Sequence, residues 1–194
     1  MKAGNGNHFE QSCNTAAAVE VESRLIVGPR VSQAPNDQQE LGPTLAAIPA
    51  EAGTLTAARV DRGFFSEKAV RQVEGAGVGP VTGPVVYAAV EKTGPHRSVA
   101  DLEQCPEPEP PAADADWMEV MRPRLKTTAG QSLYKLRQQT VEPVLGIIKS
   151  VLGFRQFRGR GREKGSLEWT RVCLAYNLKR LHRLGAGLKG AAPH

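Results

Sequence analysis

A proline-rich, acidic segment divides this chain into two parts of different character. Residues 105–116 read CPEPEPPAADAD. Closely spaced prolines remove backbone donors and clash with a helical turn, so neither a helix interior nor a central strand can continue through this segment. We predict an acidic, proline-rich linker or disordered loop over residues 105–120. The remaining regions are then residues 1–104, a helical region over 121–184, and a disordered tail over 185–194.

The two parts carry opposite charge. Residues 1–120 hold 9 Lys and Arg against 17 Asp and Glu, a net charge of −8, whereas residues 121–194 hold 16 against 3, a net charge of +13. A basic region of this kind suits a polyanionic partner, because cations that neutralise phosphates release counterions. Charge alone is equally compatible with a solvated basic face.

Composition and cysteine content exclude several classes of protein. No segment approaches the roughly 18 consecutive apolar residues that span a membrane, and the polar start has no apolar signal core, so we expect a cytoplasmic protein without a membrane partner. Cys13, Cys105 and Cys173 are odd in number and widely spaced. This pattern argues against a disulfide framework and against a zinc site, and it predicts reduced thiols.

The N-terminal part alternates strand and helix patterns. Apolar runs predict a hairpin of strands near 15–22 and 24–31, a helix near 38–48, a strand ending at Asp61, a helix between Ser66 and Gly75, and a strand near 83–90. Such alternation favours the α/β class.

The C-terminal part has a helical pattern. Apolar residues at three- and four-residue spacing predict a helix from Thr128 to Val151. Pro143 either kinks this helix or lies in the first turn of a new helix capped by Thr140. A last helix is predicted over residues 166–184, with one side basic and the opposite side carrying Leu167, Leu174, Leu178 and Leu181.

Two acidic positions are candidates for a functional site. Asp61 ends a strand, where an α/β sheet presents side chains to a ligand, although a turn residue before Gly63 explains it as well. Glu142 lies near the start of an apolar helical run, where a carboxylate also interacts favourably with the helix dipole. Lys149 follows it by seven residues, about two helical turns, and shares its face. These patterns alone indicate no more than a basic α/β protein.

Several blocks of sequence together resemble one protein family. The blocks NTAAAVEVESRLIVGPRVSQAPND, VDRGFFSEKAV, LKTTAGQSLYKLRQQTVEPVLGIIKSVLGFRQFRGRGREKGSLEW and CLAYNLKRLHRL resemble, in this order, the C-terminal part of bacterial insertion-sequence transposases of the DDE type. The resemblance implies an RNase H-like catalytic domain that holds two Mg²⁺ or Mn²⁺ ions between three carboxylates. It also implies DNA strand cleavage and transfer during transposition.

The resemblance assigns roles to particular residues. Asp61 matches the second catalytic Asp of the family and Glu142 matches its catalytic Glu, so both are expected metal ligands. Tyr134, Arg137 and Lys149 belong to the motif around that Glu and are expected to grip double-stranded DNA at the transposon ends. Four residues separate Arg137 from Glu142 where the family has three, which puts the role of Arg137 in question.

The first catalytic Asp of the family has no counterpart here, because the matching blocks begin downstream of its strand. We therefore expect a partial RNase H-like fold that lacks its first strand, with C-terminal helices, and a truncated chain that is inactive alone. The alternative is a non-catalytic fragment that binds DNA or poisons full-length transposase, through association with it or with itself. A decayed reading frame whose product does not fold is a third reading.

The segment GFRQFRGRGREKG, residues 153–165, is named the basic loop below. Arg155, Arg158, Arg160, Arg162 and Lys164 are predicted to contact phosphates, whereas Phe154 and Phe157 are predicted to pack inward. The alternative is a mobile basic loop without a fixed partner.

Overall fold

The computed structural model describes residues 2–3, 9–10, 13–34, 37–75, 83–88 and 117–190. The chain is mixed α/β and divides into two compact units. The first unit comprises residues 1–35, 43–53 and 138–194, and the second comprises residues 36–42 and 54–137. Residues 105–116, for which the sequence predicts a linker, lie outside the described residues.

A β-hairpin forms one side of the first unit. Strands β1 (Lys2–Ala3) and β2 (Phe9–Glu10) make a minimal antiparallel pair. Strands β3 (Asn14–Val19) and β4 (Ile26–Ser32) then pair antiparallel, with Asn14 opposite Ser32. The hairpin predicted from the sequence is confirmed, although β3 ends three residues earlier and β4 begins two residues later than predicted.

The turn of this hairpin is held by its own side chains. Glu20 accepts hydrogen bonds from the backbone N–H groups of Glu22, at 3.0 Å, and of Ser23, at 2.6 Å. The Ser23 side chain and these backbone donors lower the pKa of Glu20, because they favour the charged carboxylate. Arg24 takes the left-handed conformation, with φ 57°, that completes the turn.

Two long helices supply the rest of the first unit's core. Helix α1 (Leu41–Ala46) and a single 3-10 turn (Ala50–Ala52) precede the second unit's strands. Much later in the chain come α4 (Thr128–Ser150) and α5 (Arg162–Gly190), separated by the loop. Pro143 lies inside α4, which continues through it, so no new helix begins at Thr140. The buried core residues are Ile26, Val31, Val144, Ile148, Trp169, Cys173 and Tyr176.

One face of α5 is tied to the hairpin backbone. Trp169 Nε1 donates to the carbonyl of Ala16 at 3.2 Å, and the Tyr176 hydroxyl donates to the carbonyl of Arg24 at 3.1 Å. The Asn177 side chain accepts from Ile26 N at 2.9 Å and donates to Ile26 O at 2.8 Å. Burial raises the pKa of the Cys173 thiol, on the same face, to about 12, which keeps the thiol protonated at neutral pH.

The leucines predicted to form one side of this helix are exposed. Leu167, Leu174, Leu178 and Leu181 keep between 49% and 60% of their surface accessible, and Val151 keeps 60%. The buried face instead carries Trp169, Cys173 and Tyr176, because the hairpin backbone offers acceptors that aromatic N–H and O–H groups can use. Helix α5 also extends to Gly190, so residues 185–190 of the predicted tail are helical.

The second unit contains a parallel strand pair and two helices. Strand β5 (Ala57–Val60) pairs parallel with β6 (Val85–Ala88), and Asp61 directly follows β5. Helix α2 (Glu67–Glu74) begins after Ser66 and ends at Gly75, whose φ of 63° is the left-handed conformation that glycine adopts freely. Helix α3 (Trp117–Lys126) begins within the range 105–120 that the sequence assigns to a linker.

The strands and α2 confirm the corresponding sequence predictions, while α1 is shorter than the predicted helix at 38–48. Among the described residues, no helix combines the length and the hydrophobicity that crossing a bilayer requires. The free cysteines of the described part of the chain are Cys13 and Cys173.

A buried ion pair connects α2, β6 and α3. Glu74 is fully buried, and its Oε1 accepts from Val86 N at 2.7 Å and from Arg124 Nη1 at 2.5 Å. The same guanidinium nitrogen donates to the carbonyl of Val86 at 2.8 Å. The carboxylate and the guanidinium therefore satisfy both backbone groups of Val86 as well as each other.

We expect Glu74→Gln to destabilise the second unit by about 3 kcal/mol, because removing one charge of a buried pair leaves the other uncompensated. Hydrogen exchange of the amides in residues 83–88, read by mass spectrometry, measures this locally. Glu67→Gln is the control, since the Glu67–Arg71 pair at 2.8 Å is about half exposed and such pairs contribute roughly 0.5 kcal/mol or less. Equal protection in the two variants would contradict the expectation.

We expect Asn177→Ala to destabilise the first unit by about 1–3 kcal/mol, because both backbone groups of Ile26 lose their partner. The measurement is denaturant unfolding followed by Trp169 fluorescence in a Trp117→Phe background, which leaves one of the chain's two tryptophans. Lys179→Ala, an exposed change on the same helix, should stay within about 0.5 kcal/mol of the parent.

Candidate nucleic-acid interface

The basic loop begins where α4 ends. The backbone N–H of Leu152 donates to the carbonyl of Ile147 at 3.0 Å, and that of Phe154 donates to the carbonyl of Ile148 at 3.1 Å. Gly153 between them has φ 69°, a left-handed conformation that ends the helix at little steric cost. The chain therefore leaves α4 in a defined direction.

Two phenylalanines fix the first part of the loop on the core. The rings of Phe154 and Phe157 meet edge to face with their centroids 5.4 Å apart, and the centroid of Phe154 lies 6.0 Å from that of Trp169. Both phenylalanines pack against the core of the first unit. This confirms the prediction that they face inward.

A carboxylate from α5 holds the following part of the loop. Glu168 Oε2 accepts from the backbone N–H of Arg158 at 2.9 Å and from that of Gly159 at 3.2 Å. A Cβ atom added at Gly159 would lie 2.8 Å from the Cβ of Lys164, so the close approach between loop and helix requires a glycine there. The loop conformation thus depends on contacts made by its backbone.

With the backbone held in this way, the cationic side chains face solvent. Each of the five loop cations predicted to contact phosphates is exposed, and so is Lys149 at the end of α4. A groove of about 780 Å³ lies beside them within the first unit. Its lining includes Lys149, Arg155, Arg158, Arg160, Phe157 and Trp169. A surface with fixed backbone, exposed guanidinium groups and a partly apolar floor suits an extended polyanion.

The two predicted metal ligands lie in different units. Glu142 is exposed on the part of α4 that belongs to the first unit. Asp61 is exposed in the second unit, where its Oδ1 accepts from Arg62 N at 2.7 Å and opens a single 3-10 turn (Arg62–Phe64). Tyr134 and Arg137 lie on α4 within the second unit.

Carboxylate oxygens are the donors that Mg²⁺ prefers, so the chemistry of Asp61 and Glu142 suits that ion. The residues that the structure describes contain no group of three or more His, Cys, Asp or Glu side chains able to hold a metal.

Sequence reasoning missed Glu168. The pattern of a helix with one basic side gave no reason to separate this residue from other helical glutamates. One signal was available, because residues 121–194 contain only Glu142, Glu163 and Glu168 as acidic residues, and Glu168 follows directly after the basic loop.

Comparison with known proteins identifies a family match for the part of the sequence that contains this surface. Residues 112–182 match the family described as "Transposase DDE domain". The match covers less than half of the chain, and it takes in Glu142, Lys149 and the whole basic loop. The matched segment is similar to this family, in agreement with the family that the sequence blocks resemble. No curated protein and no solved structure matches the chain.

Proposed function

We propose that this chain acts in the transposition of a bacterial insertion sequence, and that its basic loop and Lys149 grip double-stranded DNA at the transposon ends. The observation that carries the proposal is that the family match covers a segment whose cations are exposed on a fixed backbone. The family as a whole implies DNA cleavage and transfer.

The basic loop suits phosphate groups for electrostatic reasons. Four arginines and one lysine lie within ten residues, and no acidic side chain except Glu163 interrupts them in the sequence. Arginine presents a planar set of donors that matches phosphate oxygens in pairs. Affinity from such contacts is independent of sequence and falls as salt rises, because binding releases counterions from the DNA.

Asp61 and Glu142 are the proposed metal ligands, within an RNase H-like domain. The antiparallel β3–β4 pair followed along the chain by the parallel β5–β6 pair is compatible with that domain and supports the proposal. When bound, a pair of Mg²⁺ or Mn²⁺ ions would activate the attacking oxygen and stabilise the leaving oxygen of a phosphoryl displacement. The chain's own contribution is two carboxylates and a cationic surface that would hold the DNA.

A second function is DNA binding without catalysis, in which the chain limits full-length transposase by occupying its DNA or by associating with it. One observation favours this alternative. The basic loop, its anchoring phenylalanines and Glu168 all belong to the first unit, whereas Asp61 and Glu142 are divided between the two units. Binding therefore depends on fewer parts of the chain than catalysis does.

We expect the chain to bind DNA. If all five loop cations contact phosphates, the logarithm of the association constant should fall against the logarithm of the salt concentration with a slope of about −4.5, at roughly 0.9 per phosphate. The double variant Arg158→Gln/Arg160→Gln should reduce the slope by about 1.8. Fluorescence anisotropy with a labelled duplex at several salt concentrations measures both values.

The matched control is Lys179→Gln/Arg183→Gln, which removes the same charge from exposed positions on α5. The first of these residues lies about 25 Å along the helix axis from the start of α5, at 1.5 Å per residue. The control should bind with nearly the parental slope. If the two double variants change the salt slope equally, the effect depends on total charge, and this result would contradict a DNA-binding site at the loop.

We expect the isolated chain to cleave or join transposon-end DNA weakly or not at all, because only two of the family's three carboxylates are recognised in its sequence. The assay is Mg²⁺- or Mn²⁺-dependent nicking of a labelled end sequence, compared with Asp61→Ala and Glu142→Ala. Robust metal-dependent cleavage that both substitutions abolish would overturn the expected inactivity and support the assignment of both carboxylates as metal ligands. DNA binding that survives Glu142→Ala, without cleavage, would favour the non-catalytic alternative.

A further inference from the structure

Glu168 lies where its charge works against the proposed partner. Its carboxylate accepts hydrogen bonds from the basic loop itself, within a few residues of Arg155, Arg158 and Arg160. A negative charge at this place repels phosphate and cancels part of the field that the loop creates. The charge of Glu168 therefore does not explain a role in DNA binding, and its hydrogen bonds must be considered.

The hydrogen bonds of Glu168 indicate a structural role in the loop. The carboxylate accepts from two consecutive backbone N–H groups, those of Arg158 and Gly159, and Oε1 adds a longer contact of 3.3 Å to Arg158 N. Hydrogen bonds to an ionised acceptor are roughly twice as strong as neutral ones. Glu168 is half-buried on α5, so the loop is attached to a helix that is itself bonded to the hairpin.

Without this attachment residues 158–161, the part of the loop that directly precedes α5, would be poorly restrained. Gly159 and Gly161 lie within it, and glycine gains more conformational freedom than any other residue when it is released. Phe154 and Phe157, which pack against the core, precede this part of the loop. A loop that is ordered only when DNA binds loses affinity, because the entropy of ordering opposes binding.

We propose that Glu168 is a positioning residue for DNA binding: it holds the backbone at Arg158 and Gly159 so that the loop arginines are arranged for phosphate groups before DNA arrives. This inference rests on the proposed function of the loop. The cost of one unfavourable charge is offset by a lower entropic cost of binding.

The experiment separates position from charge with four variants of the full chain. Glu168→Ala removes the charge and the hydrogen bonds, and it retains α5 because alanine is the best helix former. Glu168→Asp keeps the charge but withdraws the carboxylate by one methylene. Glu168→Gln removes the charge but keeps an amide oxygen in place of Oε2. Glu163→Ala removes an exposed charge from the end of the loop itself, five residues before Glu168, and the Glu163 side chain makes no hydrogen bond among the described residues.

Binding to the labelled duplex is measured as a function of salt. Glu168→Ala and Glu168→Asp should bind about tenfold more weakly than the parent, with a salt slope smaller in magnitude by about 1–2, since one or two phosphate contacts at roughly 0.9 each are lost. Glu168→Gln and Glu163→Ala should bind at least as tightly as the parent. If all three charge-removing variants strengthen binding alike and Glu168→Asp is unchanged, the proposal is overturned. It is also overturned if Glu168→Gln loses as much affinity as Glu168→Ala.

Limited trypsin digestion without DNA tests the loop independently of the proposed function. Cleavage after Arg155, Arg158 and Arg160 should be several-fold faster in Glu168→Ala than in the parent or Glu163→Ala, while Trp169 fluorescence shows an intact core in all of them. Absence of DNA binding by the unmodified chain contradicts the proposed function and leaves this readout in place. Equal digestion rates overturn the positioning role, whereas faster cleavage of Glu168→Ala supports it.

Discussion

The hydrogen bonds between α5 and the hairpin backbone are the constraint on which the first unit depends. Trp169 and, about two turns later on α5, Tyr176 and Asn177 reach backbone groups of the hairpin, which lies about 150 residues earlier in the sequence. Two strands alone are marginally stable in water, and a helix packed across them supplies the missing apolar contacts. The core and the attachment of the basic loop both depend on the placement of α5, which supplies Trp169 and Glu168.

The second unit also contains a sheet of two strands, but a buried ion pair supports it. Its two parallel strands are short, and a buried carboxylate and guanidinium replace part of the pairing that a wider sheet would provide. Buried ion pairs contribute little net stability compared with apolar packing, but they are strongly directional. Glu74 and Arg124 therefore specify how α2 and α3 meet β6 more than they add to the free energy of unfolding.

The sequence allowed the strands, α2 and most of α4 to be predicted, because each has a periodic apolar pattern and, for α2, clear end signals at Ser66 and Gly75. The prediction of which face of α5 is buried was wrong, because the leucines at heptad-like spacing and the aromatic residues form equally good helical patterns. Only the acceptors on the hairpin decide between them. The loop cations and the inward phenylalanines were predictable from residue type, whereas the attachment by Glu168 depends on a contact ten residues away that no spacing rule indicates.

The basic loop separates the residues that determine its shape from those that determine its chemistry. Its shape comes from a left-handed glycine, a glycine that lies against α5, two buried rings and a carboxylate on the neighbouring helix. Its chemistry comes from exposed side chains that contribute little to that shape. Substitution of the exposed cations can therefore change which polyanion the loop prefers while the fold stays the same, so this surface can diverge between relatives faster than the scaffold that carries it.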